Sequence, residues 1–158
     1  MLTKQFEGKG VAERLADLAI HVCGEGVGIY GIFVMLLNDS RFGKMKALGQ
    51  EVVSWSGRDE NDHCYILTWF FNKELEENPD FVGSEEYKKL YAAILEMFRG
   101  AVTRGVNYAK AVFQRGALPG LTIEDIEVFL KQLANIRLKK LNINAPKLLS
   151  LIHISEPT

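Results

Sequence analysis

Two helix-period apolar stripes in this chain are each interrupted by a carboxylate, and this constrains the fold more than any other feature. Leu15, Leu18, Val22, Glu25, Ile29, Phe33 and Leu36 follow one another in steps of three or four, the period of one helix face. A second series, Leu48, Val52, Ser56, Glu60, His63, Leu67 and Phe71, repeats that spacing. The pattern predicts two adjacent antiparallel helices with Glu25 and Glu60 on core-facing positions. His63 stands three residues after Glu60 and leaves the helix on the same side. An ionised carboxylate on an apolar face is costly unless it is paired or bound to a metal. The fold must therefore compensate two such groups, with a metal ion or with Arg58, Arg137 or backbone donors.

The rest of the chain is also helical in period. Helices are expected over about 11–38 and 44–77, with Asn38, Asp39, Ser40 and Gly43 in the turn between them and Asn78-Pro79 ending the second. Ser84 is the expected N-cap of a third helix reaching about residue 115, which Gly116 and Pro119-Gly120 close. Thr122 with Asp125 three residues later opens a fourth. Gly24, Gly26, Gly28 and Gly31 surround Glu25, and glycine weakens a helix interior, so a distorted helix or very close packing is expected there. No segment reads as a β-strand. The fold class is all-α: a partial ferritin-like bundle of about four main helices.

Composition narrows the function. The chain has 158 residues, 47% of them hydrophobic, enough for one packed core. Lys and Arg total 19 against 20 for Asp and Glu, with no basic run, so nucleic acid is not an expected partner. Cys23 and Cys64 are far apart and form neither a disulfide framework nor a Cys-x-x-Cys motif. The longest apolar stretch, 27–37, is well short of the roughly 20 residues that span a bilayer, and no basic-apolar-small order follows Met1. A cytoplasmic protein with no membrane association is expected. Residues 149–158 resemble the translated reading frame of a transposase-type sequencing adapter. They are set aside from the fold together with His153, leaving 1–148 as the structural unit.

Two carboxylates and an imidazole suit iron or manganese better than a thiolate-rich zinc site. In ferritin-like dimetal proteins two helices give a Glu each and two others give Glu-x-x-His, and this chain holds one copy of each contribution. Asp17, His21 and Glu25 also step by four, but that set is the weaker one. Arg58 and Asp62, four apart, are expected to form an ordinary surface ion pair.

At this point the residues resemble a family. Glu25 within Gly24-Glu25-Gly26-Val27-Gly28-Ile29-Tyr30, then Gly43-Lys44-Met45, then Arg58-Asp59-Glu60 with His63, and Asn135-Ile136-Arg137-Leu138 are together similar to the small (beta) subunit of class I ribonucleotide reductase. The resemblance covers about residues 10–146. It implies that Glu25 is the terminal carboxylate of one metal, that Glu60 bridges two metals, and that His63 is the nitrogen ligand of the same metal as Glu25. It further implies that Asp59 hydrogen-bonds the histidine of the opposite metal and joins the radical-transfer relay. Ile29, Phe33 and Val53 become candidates for an apolar wall.

The implied cofactor is a pair of iron ions, with manganese or a mixed manganese/iron pair as the alternative. The implied partners are the large (alpha) subunit and a second copy of the chain in a homodimer. The implied activity is oxygen-dependent radical generation for deoxyribonucleotide synthesis. The family's first half, with an Asp, another Glu-x-x-His and a redox tyrosine, has no counterpart among these residues, so a fragment that is inactive alone is expected. Two other readings stay open: a ferritin-like dimetal oxidase or iron-handling protein, and a non-catalytic helical interaction module.

Overall fold

The computed structural model describes residues 8–143; the adapter-like segment 149–158 lies outside them. The helices are α1 (Val11–Cys23), α2 (Tyr30–Arg41), α3 (Ser54–Glu77), α4 (Glu85–Phe113) and α5 (Ile123–Lys140). Two π-helical segments, Gly24–Gly28 and Leu48–Val53, lead into α2 and α3. There is no strand among the described residues. The first two expected helices are thus each split by a π segment, and the other two form as expected.

The chemistry of the helix ends explains their limits. The Ser84 hydroxyl accepts a hydrogen bond from the Tyr87 backbone N–H at 3.1 Å and starts α4. Thr122 and Asp125 form a reciprocal capping box: the Asp125 N–H donates to Thr122 Oγ1 at 3.0 Å, and the Thr122 N–H to Asp125 Oδ2 at 2.9 Å. After α5 the chain turns through Asn142 at φ +56°, and the Ile143 N–H returns to the Leu138 carbonyl at 3.0 Å. This is a Schellman-type stop with asparagine in the left-handed position.

The capping box makes a testable prediction. Bonds from Thr122 hold the Asp125 carboxyl below its usual range. A depressed folded-state value stabilises the fold above the ordinary carboxylate pKa of 3.8 and loses that contribution as the pH falls below it. Thr122→Ala is expected to cost about 1 kcal/mol in urea denaturation at pH 7, and the difference from wild type is expected to shrink in acid. An unchanged difference at low pH would remove Asp125 from the account.

One contiguous core joins the helices. Leu15, Leu18 and Val22 of α1, Phe71 of α3, Phe98 of α4, and Ile126, Leu130 and Leu138 of α5 are all buried in it. α1 and α3 run antiparallel: Arg14 pairs with Glu74 at one end, and Glu25 meets His63 at the other. α2, α4 and α5 close together at Gly31 and Gly105. A Cβ on Gly105 would stand 2.6 Å from Leu130 Cδ1, so the small residue is what lets the backbones approach.

The run Val11–Arg41, α1 and α2 with the π segment between them, is 31 residues long and apolar enough by length and composition to cross a membrane. In this fold its Leu15, Leu18, Val22 and Val27 are core residues. The sequence expectation of a turn at Asn38-Asp39-Ser40 is corrected. α2 continues to Arg41, and Asn38 and Ser40 are buried, with Asn38 Nδ2 donating to the Pro119 carbonyl at 2.9 Å.

Candidate metal centre

The π segment Gly24–Gly28 carries Glu25, and α3 carries Glu60 and His63. Three glycines in five residues lower the cost of leaving regular α geometry, and a π turn inserts one extra residue, a distortion common at functional sites. The extra residue rotates everything after it. Upstream the buried face is Leu15, Leu18 and Val22; downstream it becomes Gly31, Met35 and Asn38 in place of the expected Ile29, Phe33 and Leu36. Leu48–Val53 does the same before α3, burying Val53 and leaving Val52 exposed.

Glu25, Glu60 and His63 converge. One ligand atom from each lies within 4.8 Å of the others. His63 Nδ1 stands 3.3 Å from Glu60 Oε2 and 3.4 Å from Glu25 Oε2, between the two carboxylates. The expectation that these positions face the core is corrected in degree. The side chains of Glu60 and Glu25 keep 22% and 35% of their accessibility and that of His63 keeps 56%, so the group sits at the rim of the α1–α3 pair.

Glu25 Oε2 is nevertheless out of solvent, and apart from the 3.4 Å approach of His63 Nδ1, too poorly aligned for a hydrogen bond, it meets no donor. An acceptor in that state is incompletely satisfied and suits a cation. The arginines suggested as caps do not take that place. Arg137 donates to the Gly26 carbonyl and to Asn61 Oδ1, and Arg58 is exposed. The donor set, two carboxylates and one imidazole, is thus one that could hold a metal ion.

The other candidates fall elsewhere. Asp59 is exposed and outside the three-residue group, as expected for a neighbour displaced about 100° around the helix. Asp17 is engaged with Lys9 and His21 is exposed, so the alternative set of Asp17, His21 and Glu25 does not assemble. Arg58 and Asp62 do not pair among the described residues. Phe33 and Val53 line a cleft of about 440 Å³ together with Tyr30, Gly57, Asn61 and Phe129, whereas Ile29 is outside that lining.

Both cysteines are buried free thiols. Burial pushes Cys23 up to about 11 and raises Cys64, which keeps them protonated near neutral pH.

Residues that sequence reasoning did not assign now connect to the site. Tyr30 Oη donates to the Gly57 carbonyl at 3.0 Å, and Asn61 Nδ2 donates to the same oxygen at 2.8 Å. Asn61 in turn accepts from Arg137. For Asn61 the only signal in the sequence was its position after Glu60; Arg137 stood there as a possible cap for the carboxylates, with no link to Asn61 or Gly26.

A helical bundle that converges two carboxylates and an imidazole from neighbouring helices belongs to the ferritin-like class. Comparison with known proteins narrows this class. The family described as ribonucleotide reductase, small chain, matches residues 2–146. A protein named "Probable ribonucleoside-diphosphate reductase small subunit" from Invertebrate iridescent virus 3 is 30% identical over 115 residues, 73% of this chain and 30% of the relative. The ribonucleoside-diphosphate reductase subunit beta of Chlamydia pneumoniae is 30% identical over 85% of this chain and 38% of its own length. That of Halalkalibacterium halodurans is 27% identical over 84% and 36%. No solved structure matches significantly. The chain belongs to the ribonucleotide reductase small-chain family, and it spans about a third of the length of the curated relatives it matches.

Proposed function

We propose that this chain is the part of a ribonucleoside-diphosphate reductase small subunit that supplies one side of its metal centre. The convergence of Glu25, Glu60 and His63 around an unpartnered buried carboxylate oxygen carries the reading. In it, Glu25, Glu60 and His63 would hold the metal centre from this side, and Asp59 would orient a histidine ligand from the other side. The metals are two iron ions, with manganese or a manganese/iron pair as the alternative. When bound, they supply the oxygen-dependent oxidation from which the radical for ribonucleotide reduction is drawn.

The protein's own contribution is positional. Glu25 and Glu60 come from different helices and neutralise the cation, and His63 lies between them. The cleft lined by Phe33 and Val53 keeps apolar surface beside α3. The complete protein pairs with a large subunit, forms a homodimer and works in the cytoplasm. Among the described residues the chain provides three ligands.

Two measurements test the reading. Sequencing the genomic DNA on both sides of this reading frame is expected to reveal an upstream Asp, a second Glu-x-x-His and a nearby Tyr; a frame without them would remove the reductase assignment. Anaerobic loading of the purified chain with Fe(II) or Mn(II) is expected to leave bound metal after desalting. A metal-free product would return Glu25, Glu60 and His63 to the status of polar residues at a helix interface.

A further inference from the structure

Arg137 is 3% exposed, yet its side-chain hydrogen bonds go to neutral acceptors: the Gly26 carbonyl at 3.4 Å from Nε, and Asn61 Oδ1 from Nη2. A buried cation without a carboxylate bonded to it is costly, and its retention calls for a reason. The two acceptors supply one. Gly26 adjoins Glu25 in the π segment, and Asn61 adjoins Glu60 in α3. A single guanidinium on α5 therefore ties together the two backbone elements that carry the carboxylates, each at the residue next to the ligand.

The surroundings restrict how far this tie can move. A Cβ on Gly26 would stand 2.9 Å from both Arg137 Nε and Cys64 Sγ, so the π segment is seated directly against them. Asn61 is itself held, because its Nδ2 donates to the Gly57 carbonyl, which also receives the Tyr30 hydroxyl. The charges of Arg137, Glu25 and Glu60 all act on the Cys64 thiol, which lies against the π segment.

We propose that Arg137, acting through Asn61 and the Gly26 carbonyl, is the positioning residue that sets the separation of Glu25 from Glu60 and His63. This rests on the metal reading given above and adds to it the residue that fixes ligand spacing from outside the ligand set. A rigid planar fork suits the role, since two divergent donors on one plane hold two elements at a fixed distance, which a lysine ammonium does less well.

The test uses the whole chain and Mn(II) alone as probe, with far-UV circular dichroism to check folding. Asn61→Ala removes one limb of the tie while keeping the guanidinium and its bond to the Gly26 carbonyl, and Arg137→Gln removes both. Each is expected to weaken Mn(II) binding by about 10–100-fold, the range found when a residue that orients metal ligands is lost. Arg137→Lys is expected to recover only part of the affinity. A second readout needs no metal: in a Glu25→Cys/His63→Cys variant, the rate of disulfide formation between positions 25 and 63 reports their separation directly. It is expected to fall when Asn61→Ala or Arg137→Gln is added.

Variants that bind Mn(II) as tightly as the wild type and cross-link as fast would overturn the proposal. If the wild-type chain binds no Mn(II), the metal reading fails, and the cross-linking rate decides alone. A slower rate then still supports Arg137 as the element that sets the spacing, and an unchanged rate overturns it.

Discussion

Replacing Glu60 with alanine is expected to abolish metal binding by this chain while leaving the metal-free fold as stable as before, or slightly more so. The two halves of that result come from the same geometry. Glu60 and Glu25 place carboxylate oxygens within 4.8 Å of each other beside His63, a like-charge arrangement that works against the empty site and favours an occupied one. With Glu60 removed, a cation keeps one carboxylate and one imidazole, and affinity is expected to fall by more than about 100-fold, beyond the loss seen for residues that merely orient ligands.

Thermal denaturation separates the two effects. At a metal concentration one hundred times the dissociation constant, the wild type gains about 2.7 kcal/mol from binding to the folded state, a gain that Glu60→Ala lacks. Without metal the two proteins are expected to melt together, or the variant a little higher. A variant that is markedly less stable without metal would show Glu60 to be a structural hydrogen-bonding group, and the metal reading would lose its main support.

That prediction draws on residues the sequence already marked. Glu25, Glu60 and His63 were legible because charge on an apolar helix stripe has few physical explanations, and because the three-residue step from Glu60 to His63 survives in α3 as a regular helix. The four helical segments were legible for a similar reason, with Ser84, Thr122 and Asp125 setting starts that the structure reproduces. What the sequence did not show was the phase. A 3.6-residue period assumes one residue per 100°, and each π segment breaks that assumption once. Val52 was therefore predicted to be inside and is out, while Val53 is in; likewise Met35 is buried where Phe33 and Leu36 were expected. The glycines around Glu25 announced a distortion without specifying its sense.

Arg137 was legible only as a possible cap for the carboxylates. Its actual partners could not be read, because they join three segments far apart in sequence. Asn61 and Gly26 are 76 and 111 residues away from it. Only the packed bundle brings them together, and local pattern carries no information about contacts of that separation.

The glycines of the π segment allow the sharpest contrast between neighbouring positions. Gly26→Ala is expected to destabilise the chain by roughly 1–3 kcal/mol, the usual cost of an added methyl in a packed interior. The new Cβ would meet Arg137 Nε and Cys64 Sγ at 2.9 Å and Arg137 Cδ at 3.2 Å. Neither neighbour can yield freely. Cys64 is 1% exposed, and Arg137 is pinned by its bonds to the Gly26 carbonyl and Asn61, so displacing it leaves a buried guanidinium short of partners.

Two residues earlier, Gly24 has helical φ and ψ of −62° and −57°, and a Cβ there would meet nothing within 4 Å. Gly24→Ala is therefore expected to be neutral or to stabilise by roughly 0.5–1 kcal/mol through the reduced entropy of the unfolded chain. Urea denaturation of the two variants in parallel checks the pair. Opposite signs at two glycines of one five-residue segment would show that the segment is held by contact at Gly26 and not by glycine flexibility as such. Equal and small effects would mean that Arg137 and Cys64 can move aside, and that the seat of the Glu25-bearing segment is looser than the packing implies.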